Sequence, residues 1–211
     1  MREREPFASL VLYHLFKWSV VSPVSHLCFG LRIHGAEHVP RKGALVVVSN
    51  HASDFDPPIL ANSVGRPVAF MAKEELFRVP ILSQAIRLYG AYPVKRGTSD
   101  RQALKYALEC LEQGWAVGIF VQGTRTVDGK ITDPKLGAAL ISAKFQAPLL
   151  PVCLWGTHQI LPKGAKLPRL KPVTVRIGEL ISPPASSDRS SLHAKTAECT
   201  AMINALHDLG R

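Results

Sequence analysis

Ala44–Ser49 reads ALVVVS, apolar without interruption until its last residue. A run this short and this rich in β-branched residues is a strand. Because consecutive positions are apolar, both of its faces must be covered. Similar runs return at Pro67–Met71, Trp115–Val121, Pro148–Trp155 and Pro172–Gly178, with a shorter one at Gly90–Lys95. Helical spacing lies between them. Pro57 can open one helix, and Glu74–Leu88 carries a second with a break at Pro80. Ser99 and Gln102 stand like a capping box before a helix over residues 100–113, which stops at Gly114. Leu136–Gln146 and residues 188–209 supply two more. With a further patterned strand after Gly30, this alternation predicts an α/β fold over residues 31–211. Its mostly parallel central sheet of about seven strands is flanked by helices. Ligands of such sheets bind beyond the carboxyl ends of the strands. Leu161–Pro172 reads as a basic surface loop, and Pro183–Asp188 as a linker before the last helix.

Residues 1–30 follow a different pattern. Between Glu5 and Arg32 the only full charge is Lys17. The segment runs through Leu27-Cys28-Phe29-Gly30 straight into a strand, which disfavours a cleaved leader. A membrane span needs about 20 apolar residues, and Lys17, Ser22-Pro23, His14 and His26 interrupt this stretch. The segment is expected to form two short helices, roughly 7–20 and 24–30, lying in one leaflet as an apolar anchor. A true span and packing on the soluble core are the alternatives.

The 211-residue chain can bury one substantial core, and its 46% hydrophobic and 20% charged composition excludes a disordered chain. Lys and Arg total 26 against 16 acidic residues, a formal charge of +10. That charge suits nucleic acid, anionic headgroups, an acidic carrier protein or a phosphorylated substrate. No basic–aromatic interleaving or helix-turn-helix signature points to nucleic acid. A basic body beside an apolar anchor fits peripheral or monotopic attachment to the anionic cytoplasmic face of the membrane. Cys28, Cys110, Cys153 and Cys199 form no C-x-x-C pair, so they are expected as small buried residues in a reducing compartment. Gly35 and Pro40 argue against a metal-binding helix at His34 and His38, and no metal or cofactor is expected.

Three strand ends carry polar groups. After the first apolar strand comes Asn50-His51-Ala52-Ser53-Asp54-Phe55-Asp56-Pro57-Pro58. On a continuous helix His51 and Asp56 would point about 140° apart, so they converge only if the chain turns between them. Ser53-Asp54 and the Asp-Pro step supply such a turn. A histidine whose second ring nitrogen bonds a carboxylate is fixed in tautomer and competent as a general base. Two alternatives stand at this point: Asp56 can simply cap the next helix, and Asp54 is a rival partner for His51. Lys95-Arg96 ends another strand and enters the Gly97 turn, a positive edge suited to a phosphate. Phe120-Val121-Gln122-Gly123-Thr124-Arg125 ends a third, again in a glycine-containing turn with an arginine.

Together these segments resemble the glycerolipid acyltransferase family, in particular its bacterial 1-acyl-glycerol-3-phosphate acyltransferases. Asn50-His51 through Asp56 matches the family's first motif. Gly90 through Arg96 is similar to the second, Phe120 through Arg125 to the third and Leu150-Pro151-Val152 to the fourth. Ala72–Phe77 looks like the lysine-containing segment after the first motif. The resemblance spans about residues 30–180 and implies roles. His51 would deprotonate an acceptor hydroxyl, which attacks the thioester of an acyl carrier protein or of CoA, and Asp56 would orient His51. Arg96 and Arg125, helped by Lys95, would hold the phosphate of a lysophospholipid acceptor, and Gln122, Gly123 and Thr124 would position that acceptor. No metal or acyl-enzyme is implied. Val121-Gln122 stands where the family usually has proline-glutamate, so the acceptor is less constrained than the reaction. Glycerol-3-phosphate, another lyso-phospholipid or a lyso-aminolipid remains open, as does a non-catalytic lipid-binding protein. A serine hydrolase lacks its G-x-S-x-G elbow.

Overall fold

Strand β2 (Leu45–Ser49) is buried along its whole length. Its alternate side chains enter two cores: Leu45 and Val47 join one cluster, Val46 and Val48 the other. Two covered faces are what a strand with no polar side demands. In this computed structural model the described residues are 7–80, 83–84, 86, 91–94, 100–161 and 167–211.

The remaining strands are β1 (Arg32–His34), β3 (Val68–Lys73), β4 (Tyr92–Val94), β5 (Ala116–Phe120), β6 (Leu149–Trp155) and β7 (Thr174–Ile177). They lie in the order β1-β7-β6-β2-β5-β3-β4. Every neighbouring pair is parallel except β6 with β7. β1 and β7 therefore run against the other five. All seven strands join through hydrogen-bonded neighbours, but β3 changes neighbour in mid-course. Val68–Phe70 pair with β5, while Met71–Lys73 pair with β4, which extends the sheet only at that end.

Helices cover both faces. Helix α3 (Asp56–Val64) and the N-terminal helices pack on the face that holds Val47. Helices α4 (Asp100–Glu112), α5 (Gly137–Phe145) and α6 (Arg189–Asp208) pack on the face of Val46 and Val48. Asp188 caps α6 by accepting the Ser191 N–H at 2.9 Å. The expected helix over Glu74–Leu88 starts instead as a 3-10 turn, Glu74–Arg78. Ser99, the expected cap of α4, lies outside the described residues.

The N-terminus departs from the expected pair of helices with a break at Ser22-Pro23. Helix α1 (Phe7–Phe16), a π-helical turn (Lys17–Val21) and helix α2 (Ser22–Phe29) follow one another without a gap. Pro23 sits in the first turn of α2, where a missing N–H is tolerated. The preceding turn has widened, and the Ser22 N–H reaches back to the Lys17 carbonyl. One face packs inward: Tyr13, Val21 and Phe29 are buried, and the Tyr13 hydroxyl donates to the Ala61 carbonyl at 2.6 Å. Phe7, Leu15, Trp18 and Leu27 lie outward, each more than 60% exposed. No helix among the described residues is long and apolar enough to cross a membrane.

Candidate active site

β2, β5 and β6 deliver their carboxyl ends to one edge, with β2 in the middle. There β2 stops at Ser49 while its neighbour β6 continues through Trp155. Asn50 fills the gap. Its Nδ2 donates to the Leu154 carbonyl at 3.0 Å and its Oδ1 accepts the Leu154 N–H at 2.8 Å. The side-chain amide thus substitutes for the next peptide group of the strand. Nδ2 also donates to the Gly129 carbonyl at 2.7 Å, and Asn50 is fully buried. The residue that follows is His51, so its position is set by a sheet that has not yet let go of the chain.

The chain then turns. The Asp56 N–H closes onto the Ser53 carbonyl at 3.2 Å. This brings Asp56, five residues beyond His51, to face it: His51 Nδ1 lies 2.7 Å from Asp56 Oδ2. The same oxygen accepts the Ala52 N–H at 2.6 Å and the Ser53 N–H at 2.8 Å. Asp56 is fully buried, and the His51 side chain is 19% exposed. Three donors on one carboxylate oxygen fix the acceptor to which His51 must turn. With Nδ1 engaged, Nε2 has no protein partner among the described residues. Asp56 is the first residue of α3, but its carboxylate bonds backward to residues 52 and 53 rather than capping that helix. Asp54, the rival, faces elsewhere: its Oδ2 pairs with Arg125 Nη1 at 2.6 Å.

An aromatic ladder holds the imidazole from one side. The Phe120 ring stacks on His51 with centroids 4.1 Å apart and planes 16° apart, and Phe70 stacks beyond it at 5.8 Å. Gly118 makes this possible, because a Cβ there would lie 2.2 Å from the Phe70 ring. From the backbone, the His51 carbonyl accepts the Thr126 N–H at 2.8 Å and the Thr126 hydroxyl at 3.1 Å.

The expected acceptor-binding residues divide. Arg125 is partly exposed at the site edge, paired with Asp54. Gly123 turns the chain at φ +71°, with open space where a Cβ would stand, and Thr124 is exposed. Gln122 is already engaged: its Oε1 accepts the Thr132 N–H at 3.0 Å, stapling the loop after β5. Lys95 and Arg96 lie outside the described residues; β4 ends one residue before them. Burial pushes the thiols of Cys153 and Cys199 up to about 12, so both stay protonated and inert. Among the described residues no cluster of side chains could hold a metal.

Asn50, Phe120, Phe70, Gly118 and Thr126 position His51 without having been assigned that task from the sequence. Their partners are distant in the chain. The available signal was the glycine inside β5 next to an aromatic register partner.

A histidine–carboxylate pair at the carboxyl edge of an α/β sheet, with an arginine beside it, defines a class of site suited to deprotonating a hydroxyl. The chain belongs to the acyltransferase family, whose model matches residues 30–155. It is 36% identical over 137 residues to a chloroplastic 1-acyl-sn-glycerol-3-phosphate acyltransferase of Brassica napus, spanning 64% of this chain and 40% of that protein. Against the 1-acyl-sn-glycerol-3-phosphate acyltransferase of Bacillus subtilis the identity is 29% over 130 residues, 60% of this chain and 63% of that one. The fold is similar to that of the 1-acyl-sn-glycerophosphate acyltransferase PlsC from Thermotoga maritima. That match has a TM-score of 0.73 and 28% identity, covering 92% of this chain and 82% of the other. The chain spans about half the length of the curated relatives it matches.

Proposed function

We propose that this chain moves a fatty acyl group from an acyl carrier protein or CoA thioester to the sn-2 hydroxyl of 1-acyl-glycerol-3-phosphate, giving phosphatidic acid. The observation that carries the reading is the part-buried His51–Asp56 pair at the sheet edge, whose Nε2 has no partner among the described residues. His51 Nε2 takes the proton of the acceptor hydroxyl as its oxygen attacks the thioester carbonyl. Asp56 holds Nδ1–H and stabilises the imidazolium that forms. Collapse of the tetrahedral intermediate breaks the C–S bond, and Nε2 returns the proton to the departing thiolate. Arg125, with Lys95 and Arg96, binds the acceptor's phosphate. Gly123 and Thr124 shape the turn beneath that acceptor.

Gln122 supports a second reading, the same chemistry on another lyso-lipid, because its carbonyl oxygen is already held by Thr132. A panel of acceptors against both donor types separates the two. Phosphatidic acid formation faster than any other acylation supports the first; indifference to the lysophosphatidate acceptor overturns it. His51→Ala should reduce turnover roughly 10²–10⁴-fold in a protein that still folds. Retained turnover removes His51 as the base.

The outward apolar face of residues 7–29 supports a peripheral or monotopic seat on an anionic, cytoplasmic leaflet. The end of α2 reaches the site, since Phe29 packs edge-on against Phe55 at 5.7 Å, one residue before Asp56. A lipid acceptor can therefore be drawn from the surface on which the helices lie. Deleting the segment would uncover the core that Tyr13 and Phe29 fill, so the informative variant changes Leu15, Trp18 and Leu27 together to Ser. It should lose sedimentation with anionic vesicles while keeping its thermal midpoint. Undiminished vesicle binding would place the membrane contact elsewhere.

A further inference from the structure

We propose that Asn204, on the C-terminal helix and beyond the segment that the family model matches, is a positioning residue for His51. It acts through the loop between β5 and α5, and the inference rests on the acyl-transfer reading above.

The connection is continuous. Asn204 grips Ile131 at both backbone groups: Oδ1 accepts the Ile131 N–H at 3.0 Å, and Nδ2 donates to the Ile131 carbonyl at 2.9 Å. This two-point contact fixes a peptide in register as a sheet neighbour would. Two residues earlier Gly129 is held in both directions, its carbonyl by Asn50 Nδ2 and its N–H by the Thr126 hydroxyl at 3.0 Å. That hydroxyl in turn donates to the His51 carbonyl. Gly129 is buried at φ +85°, and a Cβ on it would meet His207 Nε2 at 2.9 Å and Asn50 Nδ2 at 3.5 Å. The loop is therefore wedged between α6 and Asn50 with no slack. A surface ion pair, Lys130 Nζ to Asp208 at 2.7 Å, adds to the same contact, but both partners are exposed and such pairs contribute little. The half-buried amide grip of Asn204 is the directional element.

The local chain cannot hold this loop alone. Thr126–Ile131 contains a glycine, an exposed valine and no regular structure. Its fixed points are Asn50 and His51 on one side and, on the other, Asn204 with the buried Ile131 side chain, while Gln122 holds Thr132 just beyond. Released from Asn204, the loop would let Thr126 and Gly129 drift and would loosen two of the contacts that set the backbone at His51. Base catalysis is sensitive to displacements well under the length of a hydrogen bond.

Wild type, Asn204→Asp and Asn204→Ala distinguish positioning from stability. Aspartate keeps the acceptor for the Ile131 N–H and loses the donor to its carbonyl; alanine loses both. The readouts are kcat and both KM values, referred to folded protein, together with amide exchange of the segment 122–135. The expected order of kcat is wild type, then N204D, then N204A, with N204A lower by on the order of tenfold. Both KM values should stay within about twofold, and exchange in 122–135 should quicken while β2 and β6 stay protected. A kcat for N204A within about twofold of wild type, or unchanged exchange in that segment, overturns the proposal. If the wild type acylates no lyso-acceptor, the functional reading fails, and the exchange measurement still decides whether Asn204 holds the loop.

Discussion

Asp56 and Asp54 stand two residues apart in one turn and occupy opposite environments. Asp56 is fully buried and gathers three donors on a single oxygen. Asp54 is 66% exposed and meets Arg125, itself 42% exposed, in a single ion pair. The first belongs to a preorganised unit: Asn50 anchored to β6, the Phe120 ring against the imidazole and Thr126 on the His51 carbonyl. The second belongs to a screened, exchangeable contact that contributes about 0–1 kcal/mol. A proton-transfer step gains from groups that need not move, whereas a binding step needs charges that can change partners. On the proposed function, the two halves of this turn would meet those separate demands.

Substitutions on the buried half should have the largest effects. Asp56→Asn keeps the size but places an NH₂ group either against the donors now met by Oδ2 or at the Oδ1 position, which has no partner among the described residues. Turnover should fall roughly 10²–10⁴-fold and stability by about 1–3 kcal/mol. Steady-state rates beside a denaturant titration measure both. A loss of stability without the loss of turnover would mean that Asp56 serves only the turn. Gly118→Ala tests the same half from a distance. Its methyl would displace the Phe70 ring, and with it Phe120 and the imidazole. Overpacking should lower stability by about 1–3 kcal/mol, and turnover should fall about tenfold or more. Equal activity per folded molecule would show that the ladder packs the core without placing His51.

The buried half was partly legible in the sequence because its decisive step is local. An Asp-Pro after Ser-Asp turns the chain within a few residues, and that turn brings His51 and Asp56 together. Spacing could not say whether Asp54 or Asp56 points inward, since both can follow a turn; the inward choice depends on which oxygen can satisfy the Ala52 and Ser53 N–H groups. The work of Asn50 was not legible at all, because its partners lie 79 and 104 residues away. Strand identity was readable from apolar runs. The change of partner within β3 was not, since hydrogen-bond pairing leaves no trace in composition. The N-terminal helices were expected to break at Pro23, and a widened turn carries the helix through instead. Gln122 was expected to face an acceptor, yet its oxygen is used on a backbone N–H ten residues on.

On the exposed half the expected effects are smaller and fall on binding. Arg125→Ala should raise the acceptor KM roughly tenfold, the scale of one hydrogen bond to a charged group, with kcat nearly unchanged. An unaltered acceptor KM would remove Arg125 from phosphate recognition. Asp54→Asn should act in the opposite direction. The Asp54 carboxylate pairs with the guanidinium proposed to bind the phosphate, so a bound phosphate would have to displace it. Removing that charge should lower the acceptor KM by a factor of about 2–5, the range of an exposed pair. The gain should shrink at high salt, where the ion pair is already weakened. A raised KM would mean that Asp54 holds Arg125 ready for the phosphate, and the exposed half would then share the preorganisation of the buried one.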